Sequence, residues 1–188
     1  PGAYRLQLDK NELTHPILKG NITSIYQDSE GELWIGSWEE GLHHVKTDGT
    51  IEIFEYDAKN PYSISSNFVR ACCEDNLGNI WIGTFNGLNR YDKSTGLFQN
   101  HTASDAQSDG LTHSSIWCIV KDNQGTLWLG TYFGGVNYFN PEYEIYSRYM
   151  YSPIEKKGLS NPVVGRTIED KDGNLWIGTE GGGLNYYN

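Results

Sequence analysis

Four short apolar runs with the same order of residue types recur along the chain. Each contains Leu or Ile, then Trp, then Ile or Leu, Gly, and Ser or Thr, and the runs cover residues 33–37, 80–84, 127–131 and 175–179. β-Branched and aromatic residues favour strands, and a run with Trp at its centre and no charged position is typical of a strand buried on both faces. Each run therefore predicts a β-strand that is covered on both sides.

An Asp-x-x-Gly segment precedes each run and predicts a tight turn. Its four acids are Asp28, Asp75, Asp122 and Asp170, which are 47, 47 and 48 residues apart. Asp accepts hydrogen bonds from backbone N–H groups two residues further on, and Gly adopts the positive φ that closes such a turn. A calcium loop is the alternative, but two of the four copies carry a single acid, and calcium requires several oxygen ligands. We therefore interpret the segment as a structural turn.

The residues between successive turns predict three further strands in each unit. In the second unit the four strands lie near residues 68–74, 80–84, 87–92 and 97–101, with turns between them and no helical period. Four short antiparallel strands in a unit of about 47 residues are typical of a β-propeller blade. A single blade cannot bury both of its faces, so we expect successive blades to pack face to face.

This periodicity predicts an all-β fold of four-stranded antiparallel β-propeller blades, with about four repeats that form part of a larger propeller. Residues 1–20 are assigned to the end of a preceding blade, residues 21–66, 67–113 and 114–161 to three blades, and residues 162–188 to an incomplete blade. The N-terminal part is expected to supply a third strand at residues 3–8 and a fourth at residues 12–17. We expect the open edges to be completed by ring closure within the chain or by a second copy of it, as a homo-oligomer.

Composition and charge argue against several classes of function. Lys and Arg number 14 against 24 Asp and Glu, a net charge of −10, so nucleic acid is not an expected partner. No apolar run of about 18 residues is present, so no membrane insertion by this segment is expected. The three cysteines, Cys72, Cys73 and Cys118, have neither zinc nor disulfide spacing and are predicted to be small buried hydrophobic residues. No cofactor or metal site is predicted.

Two of the units carry a longer shared motif. Residues 74–84 read Glu-Asp-Asn-Leu-Gly-Asn-Ile-Trp-Ile-Gly-Thr, residues 87–92 read Gly-Leu-Asn-Arg-Tyr-Asp, and residues 169–188 repeat this order, whereas residues 37–44 depart from it most. The units resemble the repeats of the two-component regulator propeller family. That resemblance implies the extracytoplasmic, periplasmic sensor part of a bacterial hybrid histidine kinase. It also implies that the segment recognises a glycan fragment and passes the signal to a kinase outside this chain.

The positions that vary between the repeats are the candidate ligand-binding residues. The loop before each first strand and the connection between the second and third strands are expected on one face of a propeller. Aromatic rings there suit the C–H face of a sugar, and acids, amides and Arg suit its hydroxyl groups or a sulfate or carboxylate. The predicted ligand-binding residues are Trp38, Glu39, Arg70, Phe85, Asn86, His113, Tyr132, Phe133, Arg166 and Glu180.

The same residues allow other interpretations. The aromatic side chains are also suited to packing on neighbouring blades or on the remainder of the sensor protein, and the two Arg residues to pairing with nearby acids. Trp117, within an apolar run at residues 115–120, is interpreted as a core residue.

Three classes of function remain open. The first is a sensor that binds an oligosaccharide or similar polar small ligand, and the second is a protein-interaction scaffold that uses the loop face or an open edge. The third is a polysaccharide-active enzyme, because propellers also host glycosidases and lyases. None of the five His residues lies in a metal-spaced or nucleophile–base pattern, and the adjacent Glu39 and Glu40 poorly suit a two-carboxylate site. No catalytic residue is predicted.

Overall fold

The structure is a succession of antiparallel β-sheets joined by turns and loops. The computed structural model describes residues 2–4, 6–7, 12–13, 17–103, 110–142, 145–153 and 158–188. Every regular secondary-structure element in these residues is a β-strand. Two short N-terminal ladders precede four larger sheets, which we number blades 1 to 4. The predicted all-β blade architecture is confirmed. The described residues contain no helix that is long and apolar enough to cross a membrane.

The described residues form nineteen strands. At the N terminus, β1 (Gly2–Ala3) pairs with β4 (Leu18–Lys19), and β2 (Leu6–Gln7) pairs with β3 (Glu12–Leu13). Blade 1 contains β5 (Ile22–Gln27), β6 (Leu33–Ser37), β7 (Leu42–Val45) and β8 (Ile51–Phe54). Blade 2 contains β9 (Val69–Glu74), β10 (Ile80–Thr84), β11 (Gly87–Asp92) and β12 (Leu97–His101). Blade 3 contains β13 (Ile116–Lys121), β14 (Leu127–Thr131), β15 (Val136–Asn140) and β16 (Ile145–Tyr149). Blade 4 contains β17 (Val164–Glu169), β18 (Leu175–Thr179) and β19 (Gly183–Tyr187).

In each blade the strands are neighbours in the order in which they follow one another along the chain. The predicted N-terminal strands at residues 3–8 and 12–17 fall partly outside the described residues. The parts that are described pair as an antiparallel hairpin, and its last strand, β4, lies beyond the predicted end. The remaining predicted strands agree with the sheets to within one or two residues.

The first strand of each blade carries a β-bulge near its first residue. The ladder between the first and second strands of each blade skips one residue, and the skipped residues are Thr23, Arg70, Trp117 and Gly165. A bulge adds one residue to a strand, bends it and redirects a side chain. The four bulges therefore place one side chain per blade outside the regular alternation of the sheet.

Successive blades pack through their apolar faces. Trp34 of blade 1 lies in one buried cluster with Val69 and Cys72 of blade 2, and the equivalent Trp81 and Trp128 pack against blades 3 and 4. These three indole side chains are 0%, 3% and 5% exposed. Burial of a large apolar side chain stabilises a fold by roughly 1.5–3 kcal/mol. Each Trp therefore joins its own blade to the next one, which confirms the predicted packing of blade on blade.

Blade 4 exposes the face that the other blades bury. Its Trp176 is only half-buried, and Ile168, Leu184 and Tyr186 are 62%, 64% and 52% exposed. Ile168 lies opposite Trp176 in the same register that places Cys73 opposite Trp81 in blade 2. The exposed residues of blade 4 therefore occupy positions that form blade-to-blade contacts elsewhere in the chain.

The three cysteines are buried and free, as the sequence predicted. Burial raises the pKa of the Cys72 thiol to about 12 and that of the Cys73 thiol to about 11, and it raises the pKa of Cys118 as well. Thiols with such raised pKa values are poor nucleophiles near neutral pH, because the thiolate is the reactive form.

One end of each blade, which we call the Asp-turn end, is formed by the turn between its first two strands. In blade 2, Asp75 Oδ1 accepts hydrogen bonds from the backbone N–H groups of Leu77 and Asn79, at 2.8 and 2.9 Å. Its Oδ2 accepts a third from Trp81 Nε1, at 2.8 Å. The equivalent Asp–indole distances in blades 1, 3 and 4 are 2.9, 2.8 and 2.9 Å. The predicted turn is confirmed, and the indole bond adds a link that ties it to the second strand.

Candidate ligand-binding site

The opposite end of the blades, which we call the aromatic end, contains the connection between the second and third strands and the residues before each first strand. A backbone hydrogen bond joins these two segments in every blade, with N–O distances of 2.9 or 3.0 Å. Its donors are the backbone N–H groups of Trp38, Phe85, Tyr132 and Glu180. Because the shared bond involves only the backbone, the side chain of the donor residue is free to differ between blades.

Aromatic side chains from blades 1 to 3 form a strip at this end. The aromatic strip consists of Trp38, Phe68, Phe85, Trp117, Tyr132 and Phe133. The ring centres are 5.5 Å apart for Trp38–Phe68, 6.0 Å for Phe68–Phe85, 5.7 Å for Trp117–Tyr132 and 4.4 Å for Tyr132–Phe133. Three of them, Trp38, Phe85 and Phe133, are 42%, 54% and 55% exposed. The strip therefore presents ring surface to solvent across three successive blades.

Arg70 connects the two halves of the aromatic strip. It is the bulge residue of blade 2, and its guanidinium carbon lies 4.5 Å from the ring centre of Trp117, 5.3 Å from Phe85 and 5.8 Å from Trp38. Its Nη1 donates a hydrogen bond to Ser115 Oγ at 2.8 Å. Burial lowers the pKa of Arg70, but a guanidinium stays protonated at neutral pH. The centre of the strip therefore carries a positive charge between aromatic faces.

His113 lies beside the blade 3 end of the strip. Its ring centre is 6.5 Å from that of Tyr132 and 6.3 Å from that of Phe133. Its Nδ1 accepts a hydrogen bond from the backbone N–H of Ser115 at 3.0 Å. In the neutral ring the proton is then on Nε2, so His113 offers an N–H donor next to two aromatic rings.

Polar side chains flank the strip in blades 1 and 2. Glu39 and Glu40 follow Trp38 in the connection of blade 1. Together with Asn21 they line a depression of about 240 Å³. Asn86 is exposed directly after Phe85, and its backbone N–H donates to Thr84 Oγ1 at 3.2 Å. The aromatic end thus combines ring faces with carboxylate, amide, imidazole and guanidinium groups.

Four segments of the chain match the model of the two-component regulator propeller family. They are residues 16–39, 63–86, 110–133 and 158–181, and together they cover half of the chain. The chain belongs to this family. Each matched segment contains the Asp turn and the connection at the aromatic end, so the family repeat includes both ends of a blade. A search of curated proteins found no match to the chain.

Solved propellers share the fold of this two-component regulator propeller chain. One is described as the extracellular domain of hybrid two-component system BT4673 from B. thetaiotaomicron, with a TM-score of 0.75 and 22% identity over 99% of this chain and 24% of that one. Another is virginiamycin B lyase from Staphylococcus aureus, with a TM-score of 0.69 and 14% identity over 98% of this chain and 62% of that one. At these identities the similarity shows the fold alone. The chain spans about a quarter of the length of the BT4673 domain.

The family repeat brings most of the predicted ligand-binding residues to one end of the molecule. Trp38, Arg70, Phe85, His113, Tyr132 and Phe133 lie along the aromatic strip, and Glu39 and Asn86 flank it. Glu180 holds the position of Trp38 in blade 4 and is exposed. Blade 4 therefore contributes an acid where blades 1 to 3 contribute rings.

The structure places Arg166 away from the other predicted residues. The bulge residue of blade 4 is Gly165, so Arg166 is the equivalent of Ala71 and not of Arg70. It lines a depression of about 370 Å³ on the exposed face of blade 4, with Ile168 and Trp176. A position one residue further along a strand faces the other side of the sheet, which explains the separation from Arg70.

Sequence reasoning missed two members of the strip, Trp117 and Phe68. The apolar run at residues 115–120 indicated a buried strand, so Trp117 was interpreted as a core residue. The bulge turns it instead to the aromatic end, where it stacks on Tyr132 with an interplanar angle of 13°. The available signal was the alignment of the repeats, in which Trp117 is the equivalent of the polar residue Arg70.

One group of side chains at the Asp-turn end has the composition of a metal site. The ligand atoms of Asp28, Glu32 and His44 lie within 4.8 Å of one another. However, Asp28 Oδ2 already accepts from Trp34 Nε1 at 2.9 Å and from Lys93 Nζ at 3.0 Å. Glu32 contacts His44 Nε2 at 2.6 Å. Because these oxygen atoms have partners within the fold, the group joins the turn of blade 1 to its own sheet and to blade 2.

Proposed function

We propose that this chain is a ligand-binding segment of a bacterial two-component sensor and that its aromatic strip binds an oligosaccharide or a similar polar small ligand. In this proposal the segment is periplasmic and passes the signal to a kinase outside the chain. Membership of the two-component regulator propeller family supports the sensor role, as does the fold shared with a domain described as extracellular. The binding role depends on one observation, the exposed rings on three successive blades with Arg70 between them.

The arrangement suits a chain of sugars for a physical reason. A sugar ring has an apolar C–H face that packs on an aromatic ring, and hydroxyl groups at its edge that need hydrogen-bond partners. Trp38, Phe85 and Phe133 offer exposed faces, and a polar side chain lies beside each of them. These polar side chains are Glu39 next to Trp38, Asn86 next to Phe85, and His113 near Phe133. Rings on successive blades give several stacking positions in a row, which favours an extended ligand.

Calorimetric titration of the chain with a panel of neutral and acidic oligosaccharides tests the proposal. We expect at least one member to bind, and we expect Trp38→Ala and Tyr132→Ala each to weaken it about tenfold, as loss of a stacking ring costs of order 1 kcal/mol or more. Leu77→Ala is the matched control, because Leu77 is 62% exposed but lies at the Asp-turn end.

The control variant is expected to bind like the unmodified chain, and all three variants are expected to keep its unfolding midpoint. Unchanged affinity in both Trp38→Ala and Tyr132→Ala would remove the aromatic strip as the site. Turnover of a panel member would instead support an enzymatic role.

A second candidate function, a protein-interaction scaffold, is favoured by the exposed face of blade 4. Ile168, Leu184 and Tyr186 are more than half exposed there. Their equivalents Cys73, Leu88 and His44 in other blades are 6%, 0% and 5% exposed. In solutions of the chain alone the available partner is a second copy, so we expect the mass measured by light scattering to rise with concentration. Leu184→Asp should abolish that rise. A constant monomer mass would contradict this candidate and leave the ligand-binding proposal unchanged.

A further inference from the structure

Arg70 is held in one position before any ligand arrives. It lies at the bulge of blade 2, and three rings from three blades surround its guanidinium, with Trp117 nearest at 4.5 Å. The hydrogen bond from Nη1 to Ser115 Oγ fixes the direction of the planar group. A side chain that is already ordered loses little conformational freedom when it binds a ligand.

The charge of Arg70 has no counter-ion among the described residues. The ion pairs found there are made by His44, Lys46 and Lys93, and no described carboxylate lies within 4.0 Å of the Arg70 guanidinium. Arg70 is partly buried, and its Nε is fully buried without a hydrogen-bond partner. Removing an unpaired charge from water is unfavourable, and cation–π contacts offset only part of that cost.

We infer that Arg70 binds an anionic group, a carboxylate or a sulfate, on the sugar that stacks against the aromatic strip. Guanidinium is planar and presents paired N–H donors that match the two oxygens of such a group. Of its five N–H donors, one is used by Ser115 within the described residues. This inference rests on the proposed oligosaccharide-binding function and narrows it to acidic sugars.

The test compares oligosaccharides that share one sugar backbone and differ in whether they carry a charged group. One pair is tetragalacturonate and its fully methyl-esterified form, and the other is a sulfated galactan tetrasaccharide and its desulfated form. We expect the acidic member of one pair to bind about tenfold more tightly than its neutral partner, in line with the strength of charge-assisted hydrogen bonds. The preferred pair distinguishes a carboxylate from a sulfate. Raising the salt concentration should reduce the difference.

Two variants of Arg70 and one control complete the test. Arg70→Gln should remove the preference for the acidic ligand, so that its affinity equals that of the neutral partner measured in the same variant. Arg70→Lys keeps the charge but not the planar donors, so it should retain part of the preference. Arg148→Gln removes the same charge from an exposed position on β16 and should change neither affinity.

Each outcome bears on the inference. Equal binding of the charged and neutral members would overturn it while leaving the oligosaccharide-binding proposal intact. A loss of both affinities in Arg70→Gln with no change in their ratio would also overturn it, because Arg70 would then support the strip without contacting an anion. If no member of either pair binds the unmodified chain while another oligosaccharide of the calorimetric panel does, the inference fails and the proposed oligosaccharide-binding function stands.

Discussion

The Asp and Trp residues at the Asp-turn end are the same in all four blades, whereas the residues at the aromatic end differ from blade to blade. At the Asp-turn end the four repeats carry the same Asp and Trp, and the Asp–indole distances agree to within 0.1 Å. At the aromatic end the equivalent positions hold Trp38, Phe85, Tyr132 and Glu180. The Asp-turn end is uniform because the Asp side chain itself accepts the hydrogen bonds that hold the turn. The aromatic end varies because its structural hydrogen bond involves only backbone atoms, so its side chains are free to differ between blades.

The atoms that make the structural hydrogen bonds explain why one end is uniform and the other is not. Each Asp carboxylate at the Asp-turn end accepts two backbone N–H groups and one indole N–H, so replacement leaves donors without partners. At the aromatic end the structural bond runs from a backbone N–H to a carbonyl oxygen, for example from Phe85 to Phe68 at 3.0 Å. Any residue other than proline supplies that donor.

The largest expected effect comes from removing one carboxylate at the Asp-turn end. Asp75 is 3% exposed, and Asp75→Ala leaves the N–H groups of Leu77, Asn79 and Trp81 without their acceptor. We expect the free energy of unfolding to fall by about 3 kcal/mol, since each buried donor without a partner costs roughly 1–3 kcal/mol. Urea denaturation followed by tryptophan fluorescence measures the change.

Phe85→Ala is the matched control, because Phe85 lies at the aromatic end of the same blade and is 54% exposed. Its effect on stability should stay below about 1 kcal/mol, as expected for an exposed position. If the two substitutions cost the same, the contrast between the ends is wrong.

The Asp-turn end was largely predictable from the sequence. Four copies at regular spacing indicated the turn, the buried second strand with its central Trp, and the packing of blade on blade. The bond from Trp81 Nε1 to Asp75 was not foreseen, because the indole was interpreted only as an apolar packing group. The two residues are six apart, and only the three-dimensional path of the hairpin brings the indole N–H to the carboxylate.

The location of the aromatic end was predictable from the sequence, but the residues that form its aromatic strip were less so. The repeat indicated which loops would share a face, and Trp38, Phe85 and Tyr132 do lie there. The bulges could not be read from the sequence, because an extra residue shifts the alternation of a strand, and a continuous apolar run such as residues 115–120 has no alternation to shift. For this reason Arg166 was grouped with Arg70, and Trp117 was interpreted as core.

Acid is expected to weaken the Asp-turn end selectively. Hydrogen bonds from Trp176 and Asn174 lower the pKa of Asp170 to about 2, against about 4 for an unfolded chain. At Asp28 burial raises the pKa, but hydrogen bonds from Trp34 and Lys93 outweigh it and the net pKa is lowered. A lowered pKa in the folded state contributes stability above the unfolded pKa, and this stability is lost as the pH falls through the folded value.

We therefore expect the urea midpoint to decline between about pH 4 and pH 2. Asp170→Asn should flatten part of this decline, because the amide keeps an acceptor oxygen but does not titrate in this range. An unchanged acid profile in Asp170→Asn would show that the turn of blade 4 does not contribute to the pH dependence.

The smallest expected effect on stability comes from extending the aromatic end into blade 4. Glu180 is exposed and makes the same backbone bond as Trp38, Phe85 and Tyr132, so Glu180→Tyr should change the free energy of unfolding by less than about 0.5 kcal/mol. An aromatic ring on the fourth blade should nevertheless strengthen binding of the tightest oligosaccharide about threefold, because one added stacking contact contributes of order 0.5–1.5 kcal/mol. Calorimetric titration measures the gain.

Asp172→Tyr makes the same change of charge and adds the same ring at the Asp-turn end of blade 4. Asp172 is exposed, and its equivalent in blade 2 is already the apolar Leu77, so the substitution should be tolerated. It should leave the affinity unchanged. Equal gains from both tyrosines would mean that added aromatic surface, or the loss of one negative charge, improves binding wherever it is placed, and the aromatic end would lose its distinction from the Asp-turn end.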